Sequence, residues 1–212
     1  MKQSLSLMAA AVVLSAISPV YAASSVDLSV SGTITPSACT PTLSAGGVVD
    51  HGKISVQDLG NTPTPLPEAM LQLAINCEAA TLVAIKGTDN RAGTSAEQDI
   101  ALPNYGLGLT TDNKKIGWYR LKMLNALADD IPSAVIESID GQTWMDAPDG
   151  TIWQPNWMRS LTGAAGVGAV PLPMQVFKTD VVIATTITDK RQLPVAEEVL
   201  IDGSATLDIV YL

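Results

Sequence analysis

An all-β sandwich is the architecture this sequence predicts, and three observations predict it. Apolar and polar residues alternate in short runs along most of the chain, which is the pattern of half-buried strands. Gly, Pro, Asn and Asp break these runs, with 16 Gly and 13 Pro in 212 residues. The final run, Gly203 to Leu212, alternates strictly and puts Ala205, Leu207, Ile209 and Tyr211 on one strand face. An amphipathic strand in that place has an unpaired edge that a partner must cover.

The elements follow in order. Residues 1–22 read as a secretory leader: Met1-Lys2 is a basic start, Leu5 to Ile17 an apolar stretch, and Val20-Tyr21-Ala22 a small-residue cleavage site. The apolar stretch is too short to span a bilayer, so export rather than anchoring is expected. Roughly 190 residues remain, enough for one large domain. Val26, Leu28, Val30 and Ile34 alternate ahead of Cys39, and residues 23–35 are expected to form either a first strand or an N-terminal extension. Residues 36–212 are expected to form the sandwich. Gly46-Gly47 turns into an alternating segment from Val48 to Val56. Asn61 to Pro67 holds three prolines and is expected to be a loop, because each removes a ladder donor.

Met70 to Cys77 and Thr81 to Lys86 read as strands, and Tyr105 to Thr110 with Ile116 to Met123 as a hairpin turning at Asp112 to Lys115. Leu121, Leu124, Ala128 and Ile131 also fit a helical stripe, and there strand followed by loop is the expectation. Val135 to Ile139, Gln175 to Phe177, Val181 to Ile187 and Val199 to Leu212 complete the set. Residues 140–170 do not alternate, and they read as an insertion holding three of the four tryptophans and a Gly/Ala-rich loop.

Charge and cysteines narrow the chemistry. The formal net charge is -9, and -10 without Lys2, with no Lys/Arg cluster, so nucleic acid is excluded as a partner. The two cysteines, Cys39 and Cys77, lie in an exported chain and are expected to form a disulfide worth about 4 kcal/mol in the chain-entropy picture. Two thiols and one distant histidine cannot complete a zinc site, and no metal or cofactor is expected.

Three stretches carry a resemblance. Gly32-Thr-Ile-Thr-Pro-Ser-Ala-Cys39, Leu71-Gln-Leu-Ala-Ile-Asn-Cys77 and Ala205 to Leu212 with its next-to-last tyrosine resemble the corresponding stretches of chaperone-usher pilus (fimbrial) subunits, and the chain looks closest to the larger fimbria-like proteins of proteobacteria. The glycine that such subunits carry about fourteen residues from the end is Val199 here, with Gly203 nearest.

The resemblance implies an immunoglobulin-like sandwich of the pilin type, incomplete by one strand and completed by strand addition. It implies as partners a periplasmic chaperone, an outer-membrane usher and neighbouring pilus subunits, and a route through the periplasm to the cell surface. Val26, Leu28, Val30 and Gly32 are then donor-strand candidates, and Ala205, Leu207, Ile209 and Tyr211 form the strand beside the groove.

An enzyme is not expected. The single histidine, His51, and its neighbour Asp50 would point to opposite faces of a strand, and no Gly-x-Ser-x-Gly, His-Glu-x-x-His or phosphate-binding glycine loop is present. Asp140 to Gly150 is rich in oxygen ligands but lacks a calcium-loop spacing, and turn chemistry accounts for it. Trp144, Trp153 and Trp157 have two readings, as a ring-stacking platform for a host or surface glycan and as a satellite core. The first would make the chain a self-contained ligand-binding module.

Overall fold

The computed structural model describes residue 29 and residues 38–97, 103–163, 168–194 and 198–212. The donor-strand candidates Val26, Leu28, Val30 and Gly32 lie outside them. The compact unit Thr35–Leu212 holds two antiparallel sheets packed face to face, with no α-helix among the described residues.

The described residues form thirteen strands in order: β1 Cys39–Leu43, β2 Thr64–Pro65, β3 Ala69–Thr81, β4 Val83–Asp89, β5 Tyr105–Gly106, β6 Gly117–Ala128, β7 Ile131–Pro132, β8 Ala134–Ser138, β9 Met145–Asp146, β10 Ile152–Trp153, β11 Met158–Thr162, β12 Met174–Ile187 and β13 Ala205–Tyr211. One sheet runs β1-β3-β12-β6-β10, with β2 on β12 and β5 and β7 on β6; the other runs β13-β4-β11-β8-β9. Their inner faces make the core, in which Leu73, Ile75, Ile85, Met123, Leu161 and Phe177 are almost wholly buried.

Several expectations need correction. The chain from Val48 to Ser55 joins no strand, and a left-handed backbone at Ala45, Gly46 and Gly47 has already turned it off the first sheet. The proline segment is not wholly loop: Thr64 and Pro65 pair with Ile187 and Thr186 of β12, where Pro65 needs no donor and the ladder bond falls to Leu66 N–H on Thr185 O, 2.9 Å. Gln175 to Ile187 is one strand rather than two, because the polar residues Lys178 and Asp180 alternate outward. Leu121 to Asp130, by contrast, is strand and then turn as expected, the strand running through Ala128 with a bulge where Asn125 takes a positive φ of 52°. Val199 to Ser204 precedes the last strand without joining it.

The largest correction concerns residues 140–170. They are not an appendage, because β11 sits between β4 and β8 in the middle of the second sheet. Its side chains are buried on both faces from Arg159 to Thr162, so alternation, the signal of a half-buried strand, is absent there. The run 164–167 lies outside the described residues.

Candidate functional site

The two sheets do not close against each other where β1 and β13 end them. β13 pairs with β4 on one side, from Ala205↔Asp89 to Tyr211↔Val83, and among the described residues no strand pairs with its other edge. β1 pairs with β3 for five residues and stops at Leu43, leaving Leu71 beyond its reach. Ala205, Leu207 and Ile209 point inward onto the core, as the alternation predicts. Tyr211 is 44% exposed, and its hydroxyl oxygen accepts from the Cys39 N–H at 3.0 Å, tying the two sheet ends together at that point.

Between these edges lies a groove of mixed lining, in which aliphatic side chains are joined by His51 and Thr185 in one lobe and by Asp50, His51, Lys53 and Glu198 in the other. One lobe is a cavity of about 270 Å³ bounded by Leu43 and Val49, floored by Val181 and Ile183, and walled by Ala205 and Leu207. A second lobe of about 430 Å³ is lined by Ile54, Leu59, Ile187, Leu193, Val199 and Ile201 among others. The exposed apolar residues Val48, Val56 and Leu200 belong to the segments that flank it. Gly203 is needed here, since a Cβ would stand 2.9 Å from Leu107 Cδ2 and 3.0 Å from Tyr119 Cε1. Tyr119 stacks on Tyr105 with ring centroids 5.1 Å apart. Burial, reinforced by the nearby Asp89 charge, pushes both phenols upward, so neither ionises near neutrality.

His51 lies in this groove, a place its sequence context did not reveal. It is half-buried, and its Nε2 is 3.0 Å from Thr185 Oγ1. Val49, His51 and Ile201 line both lobes. The signal was the segment Val48 to Ile54 itself, whose apolar residues belong to a groove wall rather than to a paired strand.

The disulfide Cys39–Cys77 is formed, between directly opposed residues of β1 and β3. It fixes the short edge strand to the sheet. Asp140 closes a turn: its Oδ1 accepts from the N–H groups of Thr143 at 2.8 Å and Gln142 at 2.9 Å and from the Ser138 hydroxyl at 3.0 Å. Those bonds hold its carboxyl down at about 2.

The tryptophans do not share an exposed surface. Trp153 is wholly buried, with its indole N–H donating to Trp157 O at 3.0 Å and the Arg159 guanidinium 5.8 Å from its ring centre. Trp157 packs partly buried against the core, and Trp144 is half-exposed. The stacking platform therefore loses its central ring. What sequence reading missed is the buried ion pair behind it: Arg159 and Glu137 face each other across β11 and β8 with N···O at 3.0 Å. Burial lowers the Arg159 pKa, and Glu137 opposes that shift.

The comparisons with known proteins differ in extent and are silent on activity. Residues 28–103 match a family described as "Protein of unknown function (DUF1120)". The chain is similar to "Protein GltF" of Escherichia coli (strain K12), 27% identical over 231 residues and 88% of each chain. It is similar too to "Uncharacterized protein YhcF" of the same organism, 28% identical over 223 residues, covering 90% of this chain and 92% of that one.

Proposed function

We propose that this chain is a non-enzymatic structural or minor subunit of a surface fimbria, assembled by the chaperone-usher route through donor-strand exchange and contributing to cell adhesion. The observation that carries the reading is the edge of β13, which no described strand pairs, beside a groove walled by aliphatic side chains. An edge of seven residues with inward Ala205, Leu207 and Ile209 is a template for strand addition, in which main-chain bonds give affinity and alternate side chains fill pockets. A periplasmic chaperone covers the edge first. At the outer-membrane usher, Val26, Leu28, Val30 and Gly32 of a neighbouring subunit replace it.

The magnitudes favour a strand over an isolated side chain. Three buried aliphatic anchors contribute roughly 5–9 kcal/mol, whereas association itself costs about 4–15 kcal/mol. A partner that also completes the β13 ladder recovers the difference. Burial of Trp153 argues against the alternative of a glycan platform.

The test is co-expression with the cognate periplasmic chaperone and co-purification of the wild-type chain, Ile209→Asp and Tyr211→Asp. Wild type should be recovered with the chaperone. Both variants should be recovered at a lower level, Ile209→Asp the lower, since its side chain packs on the core and Tyr211 is at the rim. Equal recovery of all three would overturn the assembly reading.

A further inference from the structure

The chain holds one histidine, and the groove is where the fold puts it. His51 lies on the Val48 to Ser55 segment, which joins no strand, and it lines both lobes. Its Nε2 is 3.0 Å from Thr185 Oγ1, and Thr185 is only 3% exposed, so a half-buried ring meets a buried hydroxyl rather than a carboxylate. Ile183 and Ile187, the inward neighbours of Thr185 along β12, line one lobe each.

An imidazole is the ordinary side chain whose charge changes between about pH 5 and 8. The neutral ring either accepts from the Thr185 hydroxyl or donates to it, whereas the cation only donates and brings a full charge into the groove. Among the described residues, the other charged groups lining either lobe are Asp50, Lys53 and Glu198, all exposed and screened by water. Asp50 Oδ1 already accepts from the Gly52 N–H at 2.7 Å. The remaining titratable group of the lining, the Tyr119 phenol, is pushed upward by burial and stays neutral. None of these described groups is a buried counter-charge for an imidazolium.

We infer that His51 is a proton-sensitive gate on the groove: with the ring neutral the groove takes an incoming strand at full strength, and with the ring charged it takes one weakly. The inference rests on the assembly reading above. A strand laid over the lobes removes water from the imidazole, and burial disfavours the charged form. The ring therefore gives up its proton when the groove is covered. Capture is at full strength above the open chain's titration midpoint and weakens as pH falls below it. One unit below the midpoint about ten chains in eleven carry the cation, and capture should be about tenfold weaker.

The test uses the full mature chain and the cognate periplasmic chaperone. Complex formation is measured by titration calorimetry from about pH 8 down to about pH 5, and the single imidazole is followed by NMR in the free chain and in the complex. Wild-type affinity should fall about tenfold per unit below the free chain's imidazole midpoint, and that midpoint should be lower in the complex. His51→Gln keeps a hydrogen-bonding group toward Thr185 but does not titrate, so it should match wild type at the alkaline end and lack that fall. Any pH dependence belonging to the chaperone is common to both chains. No capture of wild type at the alkaline end would overturn the assembly reading together with the gate. Capture with parallel profiles for the two chains, or an imidazole midpoint that is the same free and bound, would overturn the gate alone. If His51→Gln folds poorly, the two wild-type midpoints decide.

Discussion

Truncating Trp153 to Ala should be among the most damaging single changes in this fold. The indole is wholly buried, lies in β10 opposite Leu121 of β6, and packs on the backbone of Gly87, where a Cβ would sit 3.5 Å from the ring. Removing a buried Trp side chain costs about 3–5 kcal/mol in lost transfer and residual cavity. The Trp157 carbonyl loses the indole N–H as well, which adds about 1 kcal/mol. The sum, roughly 4–6 kcal/mol, is much of the 5–15 kcal/mol that holds a typical domain together. For a chain of this size it corresponds to a fall in Tm of roughly 10–20 °C. Thermal unfolding followed by far-ultraviolet circular dichroism reads it, with the half-exposed Trp144→Ala as a comparison that should shift by only a few degrees. A Trp153→Ala midpoint within about 3 °C of wild type would refute the satellite-core argument and return the ring to the candidate ligand surface.

Two further outcomes follow from buried and hydrogen-bonded charge. Glu137→Gln leaves the Arg159 guanidinium, its side chain 1% exposed, without a counter-charge, and should cost about 3–5 kcal/mol in urea unfolding. The double change Glu137→Gln, Arg159→Met should be milder than that single one, and a harsher double would count against the ion-pair account. Asp140 is depressed to about 2 from the ordinary 3.8, so its contribution to stability is full above about pH 4 and is lost as pH falls through about 2. The Thr143 amide resonance should titrate with a midpoint near 2 in acid, and a midpoint near 3.8 would show that the turn bonds are not holding the carboxylate.

What the sequence made legible divides along physical lines. Strands with one face in water, such as β3 with Leu71, Leu73 and Ile75 inward, carry the period-two signal and could be read directly. β11 could not, because Arg159, Ser160, Leu161 and Thr162 are all buried and the buried polar members find partners through the fold, as Ser160 Oγ does on Val83 O at 2.7 Å. Nothing local distinguishes a paired buried arginine from a solvated one. The groove was half legible. Its β13 wall follows from alternation alone, while its other wall depends on a left-handed turn at Ala45 to Gly47 that sends Val49 and His51 across the open side.

The two ends of each sheet are treated differently, and that contrast bears on function. At one end of the sheets stand β9 and β10, two residues each, too short to template another strand. Short edges are one of the devices by which sheets avoid pairing with other chains. At the other end stands β13, seven residues long, with no proline and a single charged residue, Asp208. A protein that needed no strand partner would gain by blunting this edge in the same way. The cost of leaving it open is exposure of β13 and its groove to aggregation. That cost is tolerable if the edge is covered from export onward, which is the condition that a chaperone followed by a neighbouring subunit would satisfy. On the assembly proposed above, the long edge that no described strand pairs and the short guarded ones are a single arrangement, and capping β13 covalently with an extra strand at its C-terminus should raise the yield of the free chain and lower its co-purification with the proposed chaperone.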